Sequence, residues 1–255
     1  MGSHFGVWLF VLSDNAYHAN LLRKGCLTDS VNTIVLEESS LEIVPKKYWH
    51  TRCCKDVQVR FGVMPQFQML DDNFHHEIVN KLENPQKRGR PDIVHFALLD
   101  ITSTPLYMND KIQVVIHTIG EQTIKVGKHV RVPRTLQRFC GVISKVLTER
   151  QVQSEKNHFE LKKNQSIKEL LSSLSVDETI LLSSKGIPAD FSILTKETNS
   201  KKQSTAWVVG GFAHGNFKES SRNLFDRIVS ISDSSLPAHV VTARLCYELE
   251  RILNV

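Results

Sequence analysis

Cysteine is scarce in this 255-residue chain and shows no pairing pattern. Five thiols (Cys26, Cys53, Cys54, Cys140 and Cys246) make an odd number with no C-x-x-C spacing, which argues against a zinc ribbon and a disulfide framework. They read as small buried apolar groups. Long apolar runs are missing as well. The longest, Phe5 to Leu12, is far short of the roughly twenty residues that span a bilayer. Only His4 precedes that run as a basic group, and Ser13-Asp14-Asn15 follows it, so it lacks the marks of a secretory leader and the chain is expected to be intracellular. No G-K-[ST] occurs, which excludes a P-loop. With 41% hydrophobic and 23% charged residues and only 12 Gly and 8 Pro, the chain falls outside the disordered and collagenous classes and is large enough for a packed core.

Acidic residues are absent from one stretch in particular. Between Gln122 and Thr148 there is no Asp or Glu, while Lys125, Lys128, Arg131, Arg134, Arg138 and Lys145 are all basic. The formal net charge is +5, and those six groups exceed it, so the rest of the chain is close to neutral. Concentrated positive charge without local neutralisation suits a phosphate backbone, whose counterions it displaces; a solvated basic helix face is the plainer alternative. Three arginines surround a proline in V-R-V-P-R-T-L-Q-R-F, Val130 to Phe139. Pro133 suits a first helical turn, with Leu136, Phe139, Ile143 and Val146 facing the core. Arg134 and Arg138 would then share one helical face. Arginine there opposes the macrodipole, so helix stability does not explain it; a bound anion does.

Thr33-Ile34-Val35 predicts a short strand, and Leu41 to Val44 a helical turn ending at Pro45. Asp71 opens a helix with Phe74, Ile78 and Leu82 on one side. Glu83 to Arg90, polar with Pro85 and Gly89, is expected to be an exposed, mobile loop. Ile112 to Thr118 and Thr123 to Val126 form a hairpin pattern within residues 111–127, and 151–165 reads as a polar insertion. Beyond Ile167 the texture is α/β: a helix to Leu174, strands at Thr179 to Leu182, Ala206 to Val209 and Ile228 to Ile231 joined by loops, and a last helix with Val241, Leu245, Leu249 and Ile252 as its stripe. Ser234 and Ser235 are candidate caps for that helix, and Pro237 suits its first turn. One α/β domain, with the hairpin inserted or appended, is the simplest architecture.

V-V-G-G-F-A-H-G, Val208 to Gly215, follows a predicted buried strand, at the edge where open α/β sheets bind small ligands. It is not G-x-G-x-x-G. His214 in this turn is more often structural than catalytic.

Four segments then occur in register: R-G-R-P-D-I (Arg88 to Ile93), V-R-V-P-R-T-L-Q-R-F-C-G (Val130 to Gly141), V-V-G-G-F-A-H-G, and S-I-S-D-S-S-L-P-A (Ser230 to Ala238). Together they resemble the pseudouridine-N1-specific ribosomal RNA methyltransferases of archaea and eukaryotes, small-subunit assembly factors of the SPOUT, or trefoil-knot, class. The resemblance covers about Asn32 to Val255, leaving 1–31 as a lineage-specific extension. It implies a knotted α/β domain that binds S-adenosylmethionine, acts on small-subunit rRNA as a homodimer, and needs neither metal nor membrane. Carried over, the cofactor is expected at Leu182, Ser183 and Ser184, at Gly210 and Gly215, and at Ile231, Ser232, Asp233, Ser234, Ser235 and Leu236. RNA contacts are expected at Arg88, Arg90, Arg131, Arg134 and Arg138, with Asp92 beside the target base. A carboxylate there suits the chemistry, because the N1 proton must be accepted as the methyl group arrives; a helix cap or an ion pair with Arg90 is the plainer alternative for Asp92.

The chain departs from the family pattern in three places. It reads T-S-T-P-L-Y from Thr102 to Tyr107, with Ser103 and Tyr107 where an aspartate and an asparagine are usual, and Asn216 replaces a common lysine. Alternatives are therefore a non-catalytic rRNA-binding assembly factor, or a knotted methyltransferase acting on another structured RNA. The resemblance is to archaeal members more than most eukaryotic ones, implying a cytoplasmic protein, with the nucleolus as the alternative.

Overall fold

The computed structural model describes residues 31–148 and 159–255. The expected N-terminal extension, apart from Val31, and the first part of the polar insertion lie outside the described residues.

Strand β1, Asn32–Ser39, is buried along its whole length. A fully covered, Val/Ile/Leu-rich run is the signature of a parallel strand with layers on both faces, and β1 pairs in parallel with β2, Ile112–Thr118, on one side and β6, Thr205–Gly210, on the other. The seven strands of the described residues form one sheet in the order β4-β3-β2-β1-β6-β5-β7, where β5 is Glu178–Pro188 and β7 is Arg227–Ser230. β3, Thr123–Val126, and β4, Phe159–Lys162, run antiparallel at one edge. The hairpin is thus continuous with the main sheet. The tail of the predicted polar insertion is β4, with Phe159 supplying a buried anchor.

Side-chain alternation along the strands separates two cores. Ile34, Leu36, Ile116, Trp207 and Val209 face one core, together with Val94, Leu98 and Ile101 of α3 (Pro91–Thr102) and Phe139 and Ile143 of α5 (Leu136–Thr148). Leu245 and Leu249 of α9 (Ala238–Leu253) join the same core. Val35, Val115, Leu181 and Val208 face the other, against α6 (Ile167–Leu174). A satellite core of Val44, Cys54, Leu70 and Ile78 sits under α1 (Arg52–Phe61) and α2 (Asp72–Val79). Two four-residue helices, α4 (Pro105–Met108) and α8 (Glu219–Arg222), and α7 (Phe191–Ser200) complete the α-helices of the described residues.

Several expectations are corrected. Leu41 to Val44 is extended, because Leu70 N–H donates to Glu42 O and Val44 N–H to Gln68 O. The loop assigned after β5 contains α7, capped by Asp190 through the amides of Ser192 and Ile193. The arginine helix begins at Leu136, with Thr135 O accepting from Phe139 N–H, so Arg134 precedes it and does not share a helical face with Arg138. Pro237 occupies the N-cap of α9 with no side-chain cap, so Ser234 and Ser235 do not cap it. No helix among the described residues is long and apolar enough to cross a membrane.

Candidate active site

The carboxyl ends of the parallel strands β5, β6 and β7 open into a cavity of about 620 Å³, the position at which doubly wound sheets take ligands. Leu182, Ser183 and Ser184 reach it from a bulge in β5, where pairing with β7 shifts between Leu182 and Ile187. Gly210 and Gly215 line it from the turn after β6, and Ile231, Ser232, Ser234, Ser235 and Leu236 from the segment after β7. That segment is organised by its own serines: Ser230 Oγ donates to Ser232 O at 2.8 Å, and Ser234 N–H donates to Ser232 Oγ at 3.3 Å. Asp233 does not reach the wall and is exposed.

The glycine turn is fitted closely to β1. Gly211 N–H donates to Glu37 O and Ser40 N–H to Gly211 O, at 2.8 and 3.0 Å. A Cβ on Gly211 would lie 2.3 Å from Ser39 Oγ and 2.8 Å from Ser39 Cα, so only glycine brings the two backbones this close. His214 and Asn216 also face the cavity.

Asp92 and Arg90 enter from the start of α3. Arg90 Nε donates to Asp92 Oδ1 at 2.8 Å and Arg90 Nη2 to Asp92 Oδ2 at 2.7 Å, a two-pronged contact that fixes the carboxylate plane. Arg90 N–H donates to Ser40 Oγ at 2.8 Å, tying this turn to β1.

The other arginines are placed differently. Arg88 is largely buried, pairs with Glu42 and donates from Nε to Glu83 O; it belongs to the scaffold of the loop, and the cavity wall does not include it. Burial pushes the Glu42 carboxyl above its ordinary range, and the Arg88 charge only partly offsets this. Arg131, Arg134 and Arg138 are exposed, outside the cavity wall, while Val130 and Val132 between them are buried. His95 Nε2 donates to Pro133 O at 2.7 Å, docking this segment on the helix that carries Asp92. Lys128 and His129 approach Asp110 at 3.3 and 3.6 Å, so that end of the acid-free stretch meets an acid through space.

Ser103 and Tyr107 lie outside the cavity wall. Ser103 ends α3. Tyr107 is buried, its hydroxyl donating to Gly127 O at 2.5 Å and accepting from Val130 N–H at 3.0 Å. Both substitutions fall on scaffold positions. Residues that sequence reasoning missed include Phe96, Phe212 and His239, all on the cavity wall. Phe212 directly follows the recognised glycines; Phe96 has the weaker signal of an aromatic on a helix face that is half exposed. Among the described residues no group of three or more His, Cys, Asp or Glu is placed to hold a metal ion.

A serine-rich, glycine-floored cavity of nucleoside size at the strand ends, beside a fixed carboxylate, defines an α/β protein built to bind a nucleoside-type ligand. Residues 34–250 match the model of the EMG1/NEP1 methyltransferase family, and the chain belongs to that family. It is 30% identical over 225 residues to the ribosomal RNA small subunit methyltransferase Nep1 of Staphylothermus marinus, covering 88% of this chain and 96% of the relative. It is 32% identical over 228 residues to that of Saccharolobus solfataricus, covering 87% and 97%. The crystal structure of Archaeoglobus fulgidus Nep1 bound to S-adenosylhomocysteine superposes with a TM-score of 0.76 at 30% identity, covering 88% of this chain and 99% of that one. The fold is accordingly the mixed α/β fold of Nep1, in the SPOUT class.

Proposed function

We propose that this chain is an S-adenosylmethionine-dependent methyltransferase acting on N1 of a pseudouridine in small-subunit ribosomal RNA. The observation that carries the reading is the convergence of Asp92, held on both oxygens by Arg90, with the strand-end cavity. The cavity fits the cofactor chemically: Ser183, Ser184, Ser232 and Ser234 offer the polar edges a nucleoside needs, and Leu182, Phe212 and Leu236 offer apolar walls. S-adenosylmethionine supplies an electrophilic methyl group. The protein's own work is positioning. Asp92 retains lone pairs beyond those used by Arg90 and accepts the N1 proton. Arg131, Arg134 and Arg138 take phosphates of the loop from which the base is unstacked, which is cheapest in single-stranded RNA.

The trefoil threading belongs to the same proposal and is supported by the fold shared with Nep1 over 88% of this chain. So does homodimerisation. Phe96 is 50% exposed at the cavity wall, its ring 6.0 Å from that of His239 of α9, and a second copy covering this face would complete the cavity mouth. Sedimentation at micromolar concentration tests this; a monomer would remove it.

Mass spectrometry of a pseudouridine-containing hairpin, incubated with protein and S-adenosylmethionine, is expected to show one added methyl group per hairpin, lost when uridine replaces pseudouridine. An unchanged mass with both partners saturating would refute the reading. The non-catalytic alternative rests on Ser103, Tyr107 and Asn216; the first two lie off the cavity wall, and Asn216 alone faces the cavity.

A further inference from the structure

The loop expected to be exposed and mobile contains a buried lysine, Lys87. Lys87 and Glu38 form an ion pair with side chains only 7% and 3% exposed. Neither belongs to the cavity wall, yet Phe212, Gly215 and Phe217 beside them do. Lys87 Nζ sits 4.5 Å from the centroid of the Phe212 ring, a cation–π contact in a desolvated place. The lysine stem runs beneath Gly215, close enough that a Cβ there would be 3.3 Å from Lys87 Cε. The other oxygen of Glu38 accepts Lys218 N–H at 2.8 Å, just beyond Phe217, which packs edge-on against Phe212 at 5.2 Å. Glu38 itself adopts φ +50°, a left-handed conformation that a non-glycine residue holds only when its surroundings over-determine it.

The pair therefore joins three segments that meet at the site: the end of β1, the glycine turn gripped at Phe212, Gly215 and Lys218, and the loop that runs on through Arg88 to Arg90 and Asp92. Stability alone does not account for it, since a buried ion pair seldom improves on an apolar pair of the same shape. What a charged pair supplies here is a single geometry. We infer that Lys87 and Glu38 are positioning residues that hold the glycine turn in its ligand-ready form and lock it to the loop carrying Arg90 and Asp92. This rests on the functional reading above.

The test separates shape from stability. In Glu38→Gln/Lys87→Met both charges are removed while the amide oxygen at residue 38 keeps an acceptor for Lys218 N–H. Its melting temperature is expected to stay near that of the unaltered protein, while calorimetry shows S-adenosylhomocysteine binding weakened about tenfold, the cost of ordering a turn no longer preorganised. Lys87→Met alone, which leaves Glu38 buried without its partner, is expected to lose both stability and affinity. Affinity restored in the double variant together with stability would overturn the inference. A second measurement uses the unaltered chain: S-adenosylhomocysteine is expected to slow amide exchange at Lys87 and Arg88, which donate to Asn84 O and Pro85 O and lie off the cavity wall. Unchanged exchange there under saturation would equally overturn it. Failure of the unaltered protein to bind S-adenosylhomocysteine at all would instead strike the functional reading.

Discussion

Replacing Gly211 by alanine asks the junction of β1 and β6 to accept one methyl group where the structure leaves no room. The added carbon would fall 2.3 Å from Ser39 Oγ, 2.8 Å from Ser39 Cα and 3.0 Å from Ser39 Cβ. The Ser39 hydroxyl is engaged with Leu36 O at 2.8 Å and its backbone is sheet, so neither side yields cheaply. Overpacking of this kind costs roughly 1–3 kcal/mol, and in a chain of this size each kcal/mol lowers Tm by about 2–4 °C. The same substitution at Gly141 provides the contrast. Gly141 lies inside α5, and a Cβ there meets nothing within 4 Å, so alanine is expected to stabilise by about 0.5–1 kcal/mol through the lost backbone entropy. Paired thermal melts of Gly211→Ala and Gly141→Ala should therefore move in opposite directions. Calorimetry with S-adenosylhomocysteine should show weakened binding only for the first, because the turn it distorts forms the cavity wall. Shifts of the same sign, or unweakened binding by Gly211→Ala, would refute the close-approach reasoning.

Asp92→Asn keeps the shape at the start of α3 but removes the proton acceptor; methylation of the hairpin should fall by roughly 10²–10⁴-fold with cofactor affinity within a few-fold of the unaltered protein. Arg131, Arg134 and Arg138 changed together to Gln should lower the salt slope of RNA binding by about 0.7 per lost contact on single-stranded RNA; an unchanged slope in a filter-binding titration would remove them from the interface. Tyr107→Phe strands Gly127 O and Val130 N–H and should cost about 1–3 kcal/mol without altering S-adenosylhomocysteine affinity, measured by melting and calorimetry. His117 and Glu37 form a buried ion pair at 2.7 Å. Burial pulls the His117 pKa down, but the Glu37 carboxylate and the Gln165 carbonyl outweigh it and leave the value above 6.5; burial likewise pushes Glu37 above 4.5. In both groups the folded state holds the proton more tightly, so their contribution is present at low pH and fades as pH rises through the folded values. Tm should fall as pH rises above about 4.5 through the Glu37 window and further above about 6.5 through the His117 window, and Glu37→Gln/His117→Gln should flatten that slope.

Elements governed by local pattern were legible in the amino-acid sequence. The apolar run of β1, the β2/β3 hairpin, Asp71 as the cap of α2 and the stripe of α9 all appear where periodicity places them. So does the glycine turn of the cavity, because a buried strand followed by a glycine-rich turn marks the ligand edge of an α/β sheet; the cavity residues after β5 and β7 were legible only through the family resemblance. Failures came where a distant partner overrode the local signal. Leu41 to Val44 is extended because residues 68–70 supply its hydrogen bonds. The helix predicted at Pro133 starts later because that residue's carbonyl is taken by His95.

By itself, then, the order of residues determined the α/β class, which follows from side-chain alternation, and the family, which follows from four motifs in register; the groups at the candidate site came with that resemblance. Tertiary structure alone decided which charges are free for a ligand. Arg88 and Lys87 look like solvated loop cations until Glu42 and Glu38, 46 and 49 residues away, are brought against them. A charge shows its role only with its partner, and pairing across such separations is set by the packing of the sheet.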